Sequence, residues 1–137
     1  MKRFKYLFLG FALLALSCTK ESSNNTPADY SKLGIESITI NSTIINVEDN
    51  GVLLDVKSNK NIAVTGTSNA NKKVTVECTY ALAYDATPKV TAKSKYSDTR
   101  IAITPSVVSG HDIYTIVISR ANCSEEVTYI ISFLKIN

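Results

Sequence analysis

The sequence predicts an all-β protein, a single antiparallel β-sandwich carried behind an export signal and a flexible tether. Three observations predict it. Beyond Leu33, apolar residues recur with a period of two, and no amphipathic helical stretch interrupts them. Val, Ile, Thr and Tyr are enriched there relative to Leu and Ala, which favours strands over helices. Turn residues break the alternation at roughly ten-residue intervals, giving eight or nine short strands, the pattern of a sandwich.

The chain opens with Lys2, Arg3 and Lys5, followed by an apolar run from Tyr6 to Leu16 that closes on Ser17. That order of charge, apolar run and small residue is the order of a secretory signal. The run is about eleven residues, short of the roughly 20 a membrane-spanning helix needs. With Cys18 placed just after Ala15-Leu16-Ser17, the stretch resembles a bacterial lipoprotein signal. The resemblance implies that residues 1–17 are removed and that Cys18 becomes the acylated first residue, a membrane anchor. Ala15-x-Ser17 also satisfies an ordinary cleavage site, in which case the product is freely secreted and Cys18 is a third thiol. Residues 18–33 are polar and aperiodic apart from their end, and read as a tether ahead of a domain at 34–137.

The strands follow in order. Ile38 and Ile40 share one face of the first. Ile45 and Val47 alternate next, and Asn50-Gly51 then predicts a hairpin into Val52, Leu54 and Val56. Ile62 and Val64 form a short strand up to Gly66, with 67–71 read as a polar loop. Val74, Val76, Cys78, Tyr80 and Leu82 line one face of the clearest strand of the middle. After Pro88, a weak strand places Lys89, Lys93 and Lys95 on one side, as a protected edge or a solvated face would. Ile101 and Ile103 mark another strand, expected to end at Pro105. Ile113 to Ser119 is apolar on both faces, as a central strand is. The last strand turns Val127, Tyr129, Ile131 and Phe133 inward.

Thr104-Pro105-Ser106, Ser109-Gly110-His111-Asp112-Ile113-Tyr114-Thr115-Ile116 and Val127-Thr128-Tyr129-Ile130-Ile131-Ser132-Phe133 together resemble the closing strands of cadherin-like and immunoglobulin-like sandwich modules. Such modules are common in surface lipoproteins of the Bacteroidetes. The resemblance implies a sandwich at the cell surface or in the periplasm, and no single activity. Asn122-Cys123-Ser124-Glu125 departs from it, standing where those modules usually keep an acidic residue followed by Gly.

Charge and cysteine content take their meaning from the signal. The formal charge of +3 counts three basic residues that precede the cleavage point; beyond it, 12 basic residues balance 12 acids. A net charge near zero, without a basic run, gives no reason to expect nucleic acid. With Cys18 assigned to the anchor, Cys78 and Cys123 are a candidate disulfide in an oxidising compartment, closing a loop of about 45 residues. The competing reading leaves Cys78 as a small buried hydrophobe.

The groups that carry chemistry are sparse. His111 is the one histidine, beside Asp112, and reads as an exposed loop imidazole rather than a zinc ligand or a catalytic base. Glu48, Asp49, Asp85, Asp98 and Asp112 fall in turns without a calcium-loop spacing. Tyr80, Tyr114 and Tyr129 read as core, whereas Tyr84 and Tyr96 are candidates for a small ligand platform. No metal or cofactor is expected. These features predict an envelope lipoprotein with a non-enzymatic binding or structural domain, its candidate partners the membrane through Cys18 and a glycan, matrix component or envelope protein. The alternative is a small hydrolase or metal-dependent enzyme using His111 and the loop carboxylates.

Overall fold

Alternating burial organises the chain into two sheets. The computed structural model describes residues 26–137, so Cys18 and the expected export signal lie outside the described residues. The smaller sheet contains β1 (Ile35–Ile40), β2 (Thr43–Asn46) and β5 (Val90–Ser94), in the order β2-β1-β5. The larger contains β3 (Ile62–Ala70), β4 (Lys73–Ala83), β6 (Thr99–Val108), β7 (His111–Arg120) and β8 (Glu126–Ile136), in the order β3-β4-β8-β7-β6. The protein is an all-β sandwich. Among the described residues no helix is long and apolar enough to cross a membrane.

Ile38, Ile40 and Ile45 of the smaller sheet share one buried core with Val76, Ile116, Ile118, Tyr129, Ile131 and Phe133 of the larger. Phe133 centres the aromatic part, with its ring 5.8 Å from both Tyr80 and Tyr114 and nearly perpendicular to the second. Tyr129 is fully buried, and its hydroxyl donates to the Val52 carbonyl at 2.6 Å. That bond lets a polar group sit in the core without leaving an unmade hydrogen bond.

One pairing departs from the antiparallel sandwich expected. β4 and β8 run parallel, because the chain crosses to β5 of the other sheet and returns through β6 and β7 before β8 inserts. A parallel pair needs such a crossover, and a hairpin cannot make one.

Three tight hairpins join neighbours through Asn41-Ser42, Asn71-Lys72 and Ser109-Gly110. Both residues of the last two turns have positive φ, as a two-residue turn matched to strand twist requires. Residues 67–70, expected as a loop, are therefore the overhanging end of β3, paired with β4 through to the Asn71-Lys72 turn. Their polarity reflects exposure at a sheet edge.

The hairpin expected at Asn50-Gly51 turns as predicted, with Gly51 at φ 77°, but its ladder is a single bridge between Val47 and Leu54. The side-chain oxygen of Asn50 accepts from the amides of Val52 and Leu53, and Tyr129 occupies the Val52 carbonyl. These backbone groups are diverted from strand pairing, so Val52 and Leu54 cover the core as part of a crossing segment. Nor does Pro105 end its strand. β6 is the sheet edge, where a missing N–H is tolerated, and it continues to Val108.

Two further expectations are corrected. The packed region begins before Gly34: Tyr30–Leu33 form one 3-10 turn and Leu33 is completely buried. Cys78 is a free, buried thiol in β4, so it is not bonded to Cys123 in the β7–β8 turn. Its register partner across the parallel ladder is Ile131, and it packs as a small hydrophobe.

Phe133→Ala is expected to lower the unfolding free energy by about 3–5 kcal/mol, read from urea denaturation. Burial pushes the Cys78 thiol up to about 12, and Tyr129 is raised by burial and by the Cys78 charge. The fold thus favours the protonated forms. Their contribution is whole below pH 9.0, the ordinary thiol value, and is lost as pH rises through about 12. Stability should fall over that alkaline window, with a shallower decline in Cys78→Ala. Iodoacetamide should modify Cys78 only after unfolding; ready modification of the native chain at pH 8 would contradict this burial.

Candidate functional site

The N-terminal segment reaches the sandwich at one end and is fastened there. Asp29 caps the 3-10 turn by accepting from the Ser31 amide at 3.2 Å, and Gly34 closes the turn at φ 65°. A Cβ on Gly34 would lie 2.5 Å from the Tyr96 ring, so glycine is needed there for space as well as conformation. Glu125, almost fully buried in the β7–β8 connection, accepts from the Asp29 amide at 3.3 Å and faces Lys32 at 3.8 Å. Arg120 donates from Nε to both carboxylate oxygens of Asp98, at 2.9 and 3.0 Å, and from a terminal nitrogen to the Lys32 carbonyl at 3.0 Å. Its guanidinium lies 4.1 Å from the centre of the Tyr96 ring. The hydrogen bonds from Arg120 hold the Asp98 carboxyl below its usual range. Ser94 and Thr99 hydroxyls both donate to the Leu33 carbonyl at 2.9 Å.

Beside this junction, the outer face of the smaller sheet forms a groove of about 750 Å³. Register sets its floor: Ser37 lies between Asn46 and Lys93, and Thr39 between Ile44 and Thr91. A bulge between Ile35 and Ser37 shifts the pairing with β5. Glu36 and Lys93 pair at 3.4 Å, and Glu48, Asp49 and Lys95 stand at the rim. The loop carrying Glu48 and Asp49 is braced from four directions. Val47 N–H donates to the Glu36 carbonyl, Glu48 N–H to Leu53, Gly51 N–H to Glu48, and Asp55 N–H to Asn46, all within 3.0 Å. A second cleft of about 460 Å³ continues past Asn46, Val47, Glu48 and Asp49 to Asp55 and Lys57.

The sequence-predicted candidates are scattered. Tyr96 lies under Arg120 at the junction, while Tyr84 follows β4 and donates its amide to the Ile136 carbonyl at the other end. A length of about ten residues of strand, roughly 33 Å, separates those ends, so the two tyrosines form no common platform. His111 and Asp112 begin β7 at the remote end, near the level of Asp85, whereas Glu48, Asp49 and Asp98 lie toward the junction. The histidine and these three acids are not brought together. Among the described residues no group of three or more His, Cys, Asp or Glu is placed to hold a metal ion. Lys89, Lys93 and Lys95 flank or occupy edge strand β5, as expected.

Sequence reasoning missed the groove floor and the Arg120–Glu125 fastening. Asp29-x-Ser31 followed by Gly34 is a cap-to-cap signature that could have revealed the turn. Nothing local announces that Arg120 and Glu125 meet it, since the contacts join residues 88 and 96 positions apart.

Arg120→Ala removes the bond to the Lys32 carbonyl and the stacking on Tyr96, and should lower unfolding stability by about 1–2 kcal/mol in urea denaturation. Asp98→Asn, at a solvated position, should cost much less. Equal losses would mean that the ion pair is what matters. Comparison with protein-family models, curated proteins and solved structures finds no match, so the functional reading comes from these residues and their arrangement.

Proposed function

We propose that the protein is an outer-membrane lipoprotein of the cell envelope, held by acyl chains on Cys18, whose immunoglobulin-like or cadherin-like sandwich serves non-catalytic binding or structural support. The observation that carries this reading is the fastened junction. Only ten residues separate Cys18 from Asp29, where the chain becomes part of the fold. A chain of that length reaches at most about 40 Å, which keeps the domain near the lipid surface. The junction gathers at one end of the sandwich. Tyr84, Val108, Leu134 and Ile136, all exposed, lie at the end of the sandwich opposite that junction.

Acyl chains contribute about 0.8 kcal/mol per buried CH₂, so more than one chain on Cys18 gives lasting attachment. The divided acids and the isolated His111 favour binding over hydrolysis, and the candidate partners are a glycan, a matrix component or another envelope protein. Growing cells with a radiolabelled fatty acid should label the wild-type protein, and Cys18→Ala should abolish both the label and its recovery in the membrane fraction. An unlabelled wild-type chain would overturn the lipoprotein reading in favour of a secreted one.

A further inference from the structure

We infer that the groove on the outer face of the smaller sheet binds a neutral, polyhydroxylated chain, an oligosaccharide by chemical class. The inference rests on the binding role proposed above and adds the place of the site and the chemistry of its ligand. Thr39 and Thr91 offer hydroxyls along the groove and Asn46 an amide, groups that donate and accept in turn, with the largely buried Ser37 at the floor. Sugar hydroxyls have the same dual character. The carboxylates of Glu48 and Asp49 add acceptors at the rim.

Charge narrows the class. Glu36 is already paired with Lys93, and Lys95 shares the groove with Glu48 and Asp49. An anion entering would meet those carboxylates, and a polycation would meet the lysines. A neutral polar chain meets neither penalty. The groove volume lies within the range of small-ligand sites, and its continuation past Asn46 to Asp55 and Lys57 gives a linear ligand room to extend. The braced loop fixes the rim before binding, which limits the ordering cost. The largest exposed apolar side chain at the groove is Ile44, and no aromatic ring lines it, so hydrogen bonds must supply most of the affinity. Binding is accordingly weak, as expected where each hydrogen bond replaces one to water.

The test is hydrogen exchange read by mass spectrometry on the full-length protein purified from cells. The probes are soluble hexasaccharides of the glucose, xylose, mannose and N-acetylglucosamine series, with a hexalysine peptide alongside. At least one sugar should protect segments 36–39, 44–51 and 91–95. Asn46→Ala and Glu48→Gln, both at solvent-facing groove positions, should each weaken that binding about five- to tenfold while exchange elsewhere stays unchanged. Absence of protection by every sugar, protection confined to other segments, or unchanged binding by both variants would overturn the inference. Hexalysine protecting these segments in place of the sugars would overturn the ligand class. Failure here with the fatty-acid label on Cys18 intact leaves the anchored binding module standing with its site elsewhere. Sugar binding without the label would retain the groove and reject the anchor.

Discussion

The parallel ladder between β4 and β8 is the constraint on which the rest of the structure depends. It pairs Val74 with Val127, Val76 with Tyr129, Cys78 with Ile131 and Tyr80 with Phe133, so that each buried side chain of β8 lies beside a buried side chain of β4. A slip of one residue would turn either set toward solvent, which makes the register strongly specified. β3 attaches to one side of this pair and β7 to the other. The buried thiol of Cys78 lies between Val76 and Tyr80 on the same inward face of β4, in one core with Tyr129 and Phe133.

The groove and the fastened junction are consequences of how the smaller sheet covers that core. β1 turns Ile38 and Ile40 inward, which leaves Ser37 and Thr39 to form an outer surface. The crossing segment after β2 must then travel from one sheet to the other, and its first turn packs against the 3-10 turn: a Cβ on Gly51 would come within 3.1 Å of the Ser31 amide nitrogen. One local arrangement therefore positions both the rim of the groove and the point where the N-terminal segment meets the domain. Arg120 and Glu125 complete it from the larger sheet. Among the described residues no buried side-chain nitrogen or oxygen lacks a hydrogen-bond partner, in keeping with a fold that places polar groups in its interior only when they are paired.

The strands were legible wherever one face packs on the core. Val127 to Phe133 and Val74 to Leu82 alternate because burial alternates, and the sequence carries that pattern directly. Legibility failed where strands leave the core. Residues 67–70 are exposed throughout, so their pairing leaves no apolar period to read. Pro105 reads as a breaker in the sequence because edge or centre is decided by distant partners. Asn50-Gly51 announced its turn correctly, but whether strands follow depended on Tyr129, 77 residues away from Val52. The platform expected of Tyr84 and Tyr96 failed for a similar reason, since the chain carries them to opposite ends of the sandwich despite their proximity in sequence. The groove was least legible of all. Ser37, Thr39, Asn46 and Thr91 are unremarkable polar residues until register aligns them across three strands.

The position of β8 has a consequence for a chain made from its N-terminus. This strand comes last in sequence among the eight, yet it occupies the middle of the larger sheet. Until it emerges, β3–β4 and β6–β7 are two separate hairpins, each lacking the partner that joins them. Isolated two-stranded units of this kind are marginal in water. The core of the larger sheet therefore closes only when Val127 to Phe133 slot between β4 and β7, after every other strand of that sheet has been made.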